Sequence, residues 1–228
     1  MQIITFYVIP KWFVGFSIIM EILFGIVSAA VSAFGYKIYK ISNEKNIKLF
    51  SIGFLCISIS YLLRAIINLF IVSQISGEIR KFSLDNLQAT ALIGVYLYMA
   101  LFIAGLITIF YANIRVNKKE SYFLMLGLGL LSVFTYLSHI AAFHLTAVFI
   151  LLFINYHYAK DYLKNKNHRT LLVFIAFILL LFSHIVTLTA QIQLQEYIIS
   201  HFLELAAYFL ILLSLIRAAK IKIFRKIP

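Results

Sequence analysis

The sequence predicts an all-α fold, a seven-transmembrane helix bundle, and three observations carry that expectation. Hydrophobic residues make up 63% of the 228, mean hydropathy is +0.99, and only 12% of residues are charged. An ordinary water-soluble domain is excluded by that balance. Seven apolar stretches recur, each close to the roughly 20 residues that span a hydrocarbon core of about 30 Å. Basic residues, finally, collect in alternate connections between those stretches.

The spans fall at about 12–36, 49–72, 87–111, 122–141, 145–158, 171–190 and 197–216. Lipid offers bare backbone groups no partner, so such segments form helices, and their length without strict alternation excludes a barrel. The first span carries the small-residue run Val31-Ser32-Ala33, which resembles a signal-peptide cleavage site. Its apolar stretch is too long for a signal peptide, and it contains Glu21, so it is read as helix one. The second span holds Arg64 and the lone Cys56, which excludes an intrachain disulfide and fits a small core residue. The third carries Tyr96 and Tyr98. Between the fourth and fifth, only residues 138–144 are free to turn, so these two are expected to pair as a tight antiparallel hairpin. The longest connection, 73–86, mixes Glu78 and Asp85 with Arg80 and Lys81 and is expected as a solvated loop or a short cap. After Ile216 come twelve residues, 217–228, forming a basic tail with Ile221, Ile223 and Phe224 interspersed, suited to lie along anionic headgroups.

Sixteen of the twenty Lys and Arg residues lie after spans one, three, five and seven, whereas Lys11, Arg80 and Lys81 lie on the other side and Arg64 lies within a span. The positive-inside rule therefore places the N-terminus outside and the C-terminus in the cytoplasm of a multi-pass cell-membrane protein. The net charge of +12 reflects topology and anionic headgroups. Nucleic acid is not an expected partner, because no aromatic residues interleave a basic patch. Three segments, 60–66, 135–141 and 181–186, each place an aromatic shortly before Arg64, His139 or His184, and the loops preceding the even spans share Tyr-rich ends and Lys/Asn centres. A repeat of three helical hairpins closed by helix seven is one reading, and chance similarity in apolar sequence is the other.

Ionisable groups in hydrocarbon are costly and mark function by default. Five that fall toward one face sit within spans: Glu21, Arg64, His184, His201 and Glu204. At 1.5 Å per residue, Glu21 and Arg64 each lie about 13 Å in from the same face, level enough for an ion pair. His184, His201 and Glu204 fall about 6–10 Å deep on helices six and seven, and His201 and Glu204 share a helix face. With Tyr96 these residues outline a polar, outward-open, ligand-binding pocket. Two roles compete for Glu21 and Arg64, a staple fixing helix register and an anion-facing charge. For the histidines, interhelical hydrogen bonding is the bland role. The sharper ones are a transition-metal site of His139, His184 and His201, or a haem b with two of those as axial ligands. No catalytic residues are assigned, since Ser183-His184 and Ser200-His201 are adjacent and point about 100° apart. Proton pumping is not expected, because no acids continue through the cytoplasmic half.

Seven helices, N-out and C-in, with a longer outside connection between helices two and three and a short turn between four and five, resemble the layout of microbial rhodopsins. Those proteins carry a Schiff-base lysine in helix seven. Here 205–214 contains none, and Tyr208 stands near the place expected, so covalent retinal is not implied. The run His201-Phe-Leu-Glu204-Leu-Ala-Ala-Tyr208 continuing into Arg217 is similar to the last span of prokaryotic membrane-embedded sensor modules. That resemblance implies a receptor-like or sensory binding module read by a separate cytoplasmic signalling partner. A haem or metal protein for electron transfer and a small-solute transporter are the other function classes. Gly25, Ala29 and Ala33 on helix one, with Gly127 and Gly129 on helix four, are expected to permit close packing, within the bundle or in a homo-oligomer.

Overall fold

A computed structural model describes residues 11–76, 84–114, 118–134, 139–189 and 194–224. Seven helices run through them: α1 Lys11–Ser42, α2 Lys45–Ser76, α3 Leu84–Ile114, α4 Lys119–Phe134, α5 His139–Asn165, α6 His168–Thr189 and α7 Leu194–Phe224. Six of these are long and apolar enough to cross a membrane. The described part of α4, 16 residues, falls below that length. The end at which α1, α3, α5 and α7 begin is called the upper end below, and the opposite end the lower.

Six helices close a ring in the order α1, α2, α3, α5, α6, α7 and back to α1, while α4 lies outside it, against α3 and α5. Composition explains that exclusion. From Ser121 to Phe134, α4 carries no charged side chain, and its polar ones are Ser121, Tyr122 and Ser132, with Tyr122 Oη 3.0 Å from Thr108 Oγ1 of α3, so little on it must be hidden from lipid. Val133 is its one buried residue among those described, and Gly127 has nothing within 4 Å of where a Cβ would stand. Gly129 does meet α3, at Ile107 and Ile103, and Ser132 bonds Thr146 of α5 at 2.9 Å.

Because lipid tails are as apolar as leucine, the ring is held by close packing and interhelical hydrogen bonds. Large aliphatic side chains such as Ile19, Ile26, Ile66 and Leu152 face outward. The interior is aromatic and aliphatic below, with Phe54, Phe102, Phe177 and Tyr208 fully buried, and ionisable near the upper end. Gly25 of α1 lets α2 approach so closely that Ser58 Oγ donates to its carbonyl at 2.8 Å. Replacing Ser58 with alanine is expected to destabilise the protein by about 0.6 kcal/mol, the mean for such membrane bonds, as read by unfolding in detergent. A loss above about 2 kcal/mol would mean that the bond does more than join the two helices.

The connections differ from expectation in instructive ways. Residues 139–144, expected to turn, begin α5 instead, because the run His139-Ile-Ala-Ala-Phe-His144 contains no Gly or Pro to break a helix. Residues 135–138 lie outside the described residues. The 73–86 connection shrinks from both sides, since α2 runs to Ser76 and α3 starts at Leu84. Glu78, Arg80 and Lys81 lie outside the described residues. At the lower end, helix continues into the basic segments, and α7 extends to Phe224 through most of the expected tail. Two lower turns are alike. Asn43 (φ 58°) and Lys166 (φ 45°) each take the left-handed conformation, donate their N–H to Tyr39 O and Tyr162 O at 2.7 Å, and are followed within two residues by a new helix. That is the αL helix cap, natural for Asn and unusual for Lys. The corresponding 115–117 connection lies outside the described residues.

Candidate functional site

Near the upper end the ring encloses a cavity of about 170 Å³, bordered by side chains from six helices. Helical spacing brings them there. Ser17, Glu21, Phe24 and Ser28 form one stripe of α1, Tyr61, Arg64 and Asn68 one stripe of α2, and Tyr197, His201, Glu204 and Tyr208 one stripe of α7.

Glu21 and Arg64 form the ion pair that their depths allow, Nε to Oε1 at 2.9 Å. The Glu21 carboxylate is buried and accepts further bonds from Asn68 Nδ2 at 2.9 and 2.8 Å and from Ser17 Oγ at 3.4 Å. Arg64 extends the contact across the ring, donating from Nη1 to Tyr98 Oη at 3.1 Å and from Nη2 to Tyr197 Oη at 3.4 Å. Its guanidinium carbon also lies 4.8 Å from the centre of the Tyr98 ring, a cation–π contact.

Glu204, buried on α7, accepts a hydrogen bond from Tyr61 Oη of α2, and Tyr208 Oη donates to Tyr61 Oη at 3.3 Å. Glu204 and His184 lie at similar depth on neighbouring helices. The structure pairs each elsewhere. His184 turns toward α3 and α5, its ring 5.4 Å from Phe102 and 6.1 Å from Phe143, and its Nδ1 lies 2.9 Å from His144 Nδ1. One of those two nitrogens carries the proton and the other accepts it. His184 Nε2 is buried with no hydrogen-bond partner, while His184 borders the cavity. His201 turns toward α1, 5.6 Å from Phe24, under Tyr197 at 4.2 Å, with Nδ1 3.0 Å from Tyr197 O.

Glu21, Arg64, His184, His201 and Glu204 thus all border one cavity, and the staple and the histidine cluster are not separate. Tyr98 and Tyr197 bridge them through Arg64. Tyr96 goes elsewhere, stacking on Phe134 of α4 at 5.2 Å, because two residues along a helix turn a side chain through about 200°. Of the expected metal set, His184 and His201 face the cavity, and the side chain of His139 is outside the described residues. Among the described residues no group of three His, Cys, Asp or Glu is placed to hold a metal ion. The cavity is smaller than the roughly 300–1,000 Å³ of sites for drug-sized ligands, and His184 Nδ1 is engaged with His144.

Asn68, Tyr197 and Ser17 are participants that single-residue reasoning passed over. Their signal was present, since each stands three or four residues from an ionisable group on the same helix face.

No family model, no curated protein and no solved structure matches this chain. Its architecture is that of an integral multi-pass membrane protein with seven helices.

Below the cavity comes a packed, largely apolar layer. On α7, Glu204 and Leu215, which borders a second crevice at the lower end, are 11 residues or about 16 Å apart. That interval is filled by Val27, Val31, Phe54, Phe102, Leu151, Phe177, Tyr208 and Ile211, all buried. Within it Ser28 bonds Phe24 O, Ser58 bonds Gly25 O and Thr108 bonds Ala104 O, while Tyr208 Oη bonds Tyr61 Oη.

Proposed function

We propose that this chain is a receptor-like, sensory binding module of the cell membrane, taking a small polar ligand into the upper cavity. One observation carries the reading: ionisable and hydroxyl side chains from six helices converge on a single enclosed space of about 170 Å³. Charged groups in hydrocarbon default to functional roles when they face a cavity, and polar groups spread over several helices make helix positions depend on what fills it. The alternation of basic segments orients the cavity outward and sets the lysine-rich lower end against anionic headgroups, where a cytoplasmic signalling partner would read helix movement. The packed apolar layer below supports binding without passage.

A screen of small polar compounds for thermal stabilisation of the detergent-purified protein tests this. Compounds that stabilise the wild type should lose their effect in Thr187→Trp, which fills the cavity. The reading fails if none stabilises, or if the variant responds equally.

A small-solute carrier is the second reading, favoured by the lower crevice. It measures about 520 Å³ and is lined by Glu44, Lys45, Asn113, Tyr158 and Asp161 among others, so the lower half is not devoid of polar groups. Two cavities at opposite ends with a barrier between them suit alternating access. Uptake of a stabilising compound into proteoliposomes separates the carrier from the receptor.

A further inference from the structure

The charges around the upper cavity do not balance. Two carboxylates, Glu21 and Glu204, and one guanidinium, Arg64, border it. Glu21 is fully engaged by Arg64, Asn68 and Ser17. Arg64 directs its nitrogens to Glu21, Tyr98 and Tyr197. Glu204 is 8% exposed, accepts from the Tyr61 hydroxyl, and has no salt-bridged cation among the described residues. Glu204 thus stands without a cationic partner in a place where its carboxylate form is favoured only when one is supplied.

A second feature points the same way and is independent of it. His184 is 4% exposed, its Nδ1 is engaged with His144, and its Nε2 has no partner while its side chain borders the cavity. When His184 donates its Nδ1 proton to His144, Nε2 presents a bare lone pair, an acceptor awaiting a donor. The aromatic residues Phe24, Tyr61, Tyr98 and Tyr197 also line the cavity.

We propose that the ligand of this cavity is a small monovalent ammonium cation, bound by Glu204 and His184. The assignment rests on the receptor-like reading above and names its ligand class. An ammonium group supplies the missing positive charge to Glu204, donates a hydrogen bond to His184 Nε2, and sits against aromatic faces whose quadrupoles favour cations. An anion of the same size meets the Glu204 carboxylate, while Arg64 is already compensated by Glu21. A multivalent metal finds no set of three ligands among the described residues.

The test titrates the full-length protein in detergent with ethylammonium, acetate and acetamide, matched in size and differing in charge, at constant ionic strength. Thermal unfolding and calorimetry provide the readouts. Ethylammonium should stabilise saturably and the other two should not, with affinity lowered about tenfold or more in Glu204→Gln and in His184→Phe. Should Glu204→Gln fail to fold, His184→Phe carries the comparison. Saturable binding of acetate or acetamide without ethylammonium overturns the cation class and leaves the receptor-like reading standing. Ethylammonium binding unchanged in both variants overturns the site. If none of the three binds, the cation assignment falls, and the wider screen of small polar compounds decides the receptor-like reading separately.

Discussion

Replacing Arg64 with methionine should destabilise the protein by roughly 3–5 kcal/mol, the range for breaking a buried ion pair by removing one partner. The loss comes from what is left behind. Glu21 is 1% exposed, and without the guanidinium its charge is countered only by Asn68 and Ser17, which are dipoles. Glu21→Met should cost less, because the Arg64 side chain is 31% exposed and keeps Tyr98 and Tyr197 as acceptors. The double variant Glu21→Met/Arg64→Met should recover a large part of the Arg64→Met loss, since it leaves no orphaned charge. Unfolding of the four proteins in detergent closes the double-mutant cycle. Additive losses would show that the pair is incidental to stability, and so would an Arg64→Met protein within about 1 kcal/mol of wild type.

The same pair shows what the sequence made legible. Composition and span length suffice for an all-α membrane bundle, because the bilayer restricts spanning structure to so few solutions. Depth counting placed Glu21 level with Arg64, because helical rise is constant and antiparallel neighbours share a membrane plane. Rotation was harder. Tyr96 and Tyr98 have nearly the same depth, yet only Tyr98 faces the cavity. Glu204 and His184 are level on neighbouring helices, yet each bonds to a third helix. Rotation depends on which face of each helix meets which neighbour, a tertiary property that neither hydropathy nor depth contains. The stripe Tyr197, His201, Glu204, Tyr208 could have supplied it for α7, since four polar side chains at helical spacing fix the inward face. On α4 no such stripe exists, and its lack of charged side chains from Ser121 to Phe134 fits a place outside the ring.

Glycine spacing carries the second large effect, at the α2–α3 contact. A Cβ built on Gly53 would stand 2.8 Å from Gly105 O and 3.2 Å from Ile109 N, and one on Gly105 would stand 2.7 Å from Gly53 O and 3.2 Å from Ile57 N. Each glycine thus faces the backbone of the other helix, and backbone cannot rotate aside as a side chain does. Close backbone approach through small residues is how membrane helices gain packing without a hydrophobic driving force. Gly53→Val or Gly105→Val should separate α2 from α3 and destabilise by about 3 kcal/mol or more, the upper part of the overpacking range. Separation would also carry Tyr61 and Arg64 away from Tyr98, loosening the upper cavity three turns above. Two controls isolate the cause. At Gly25 the nearest obstacle is the Leu62 side chain, which can change rotamer, and Gly127 has nothing within 4 Å. Gly25→Ala should therefore cost less than Gly53→Ala, and Gly127→Ala should be neutral or stabilising, as alanine favours helix over glycine by about 1 kcal/mol. Equal losses at all these positions in detergent unfolding would mean that helix flexibility, rather than backbone contact, is what the glycines supply.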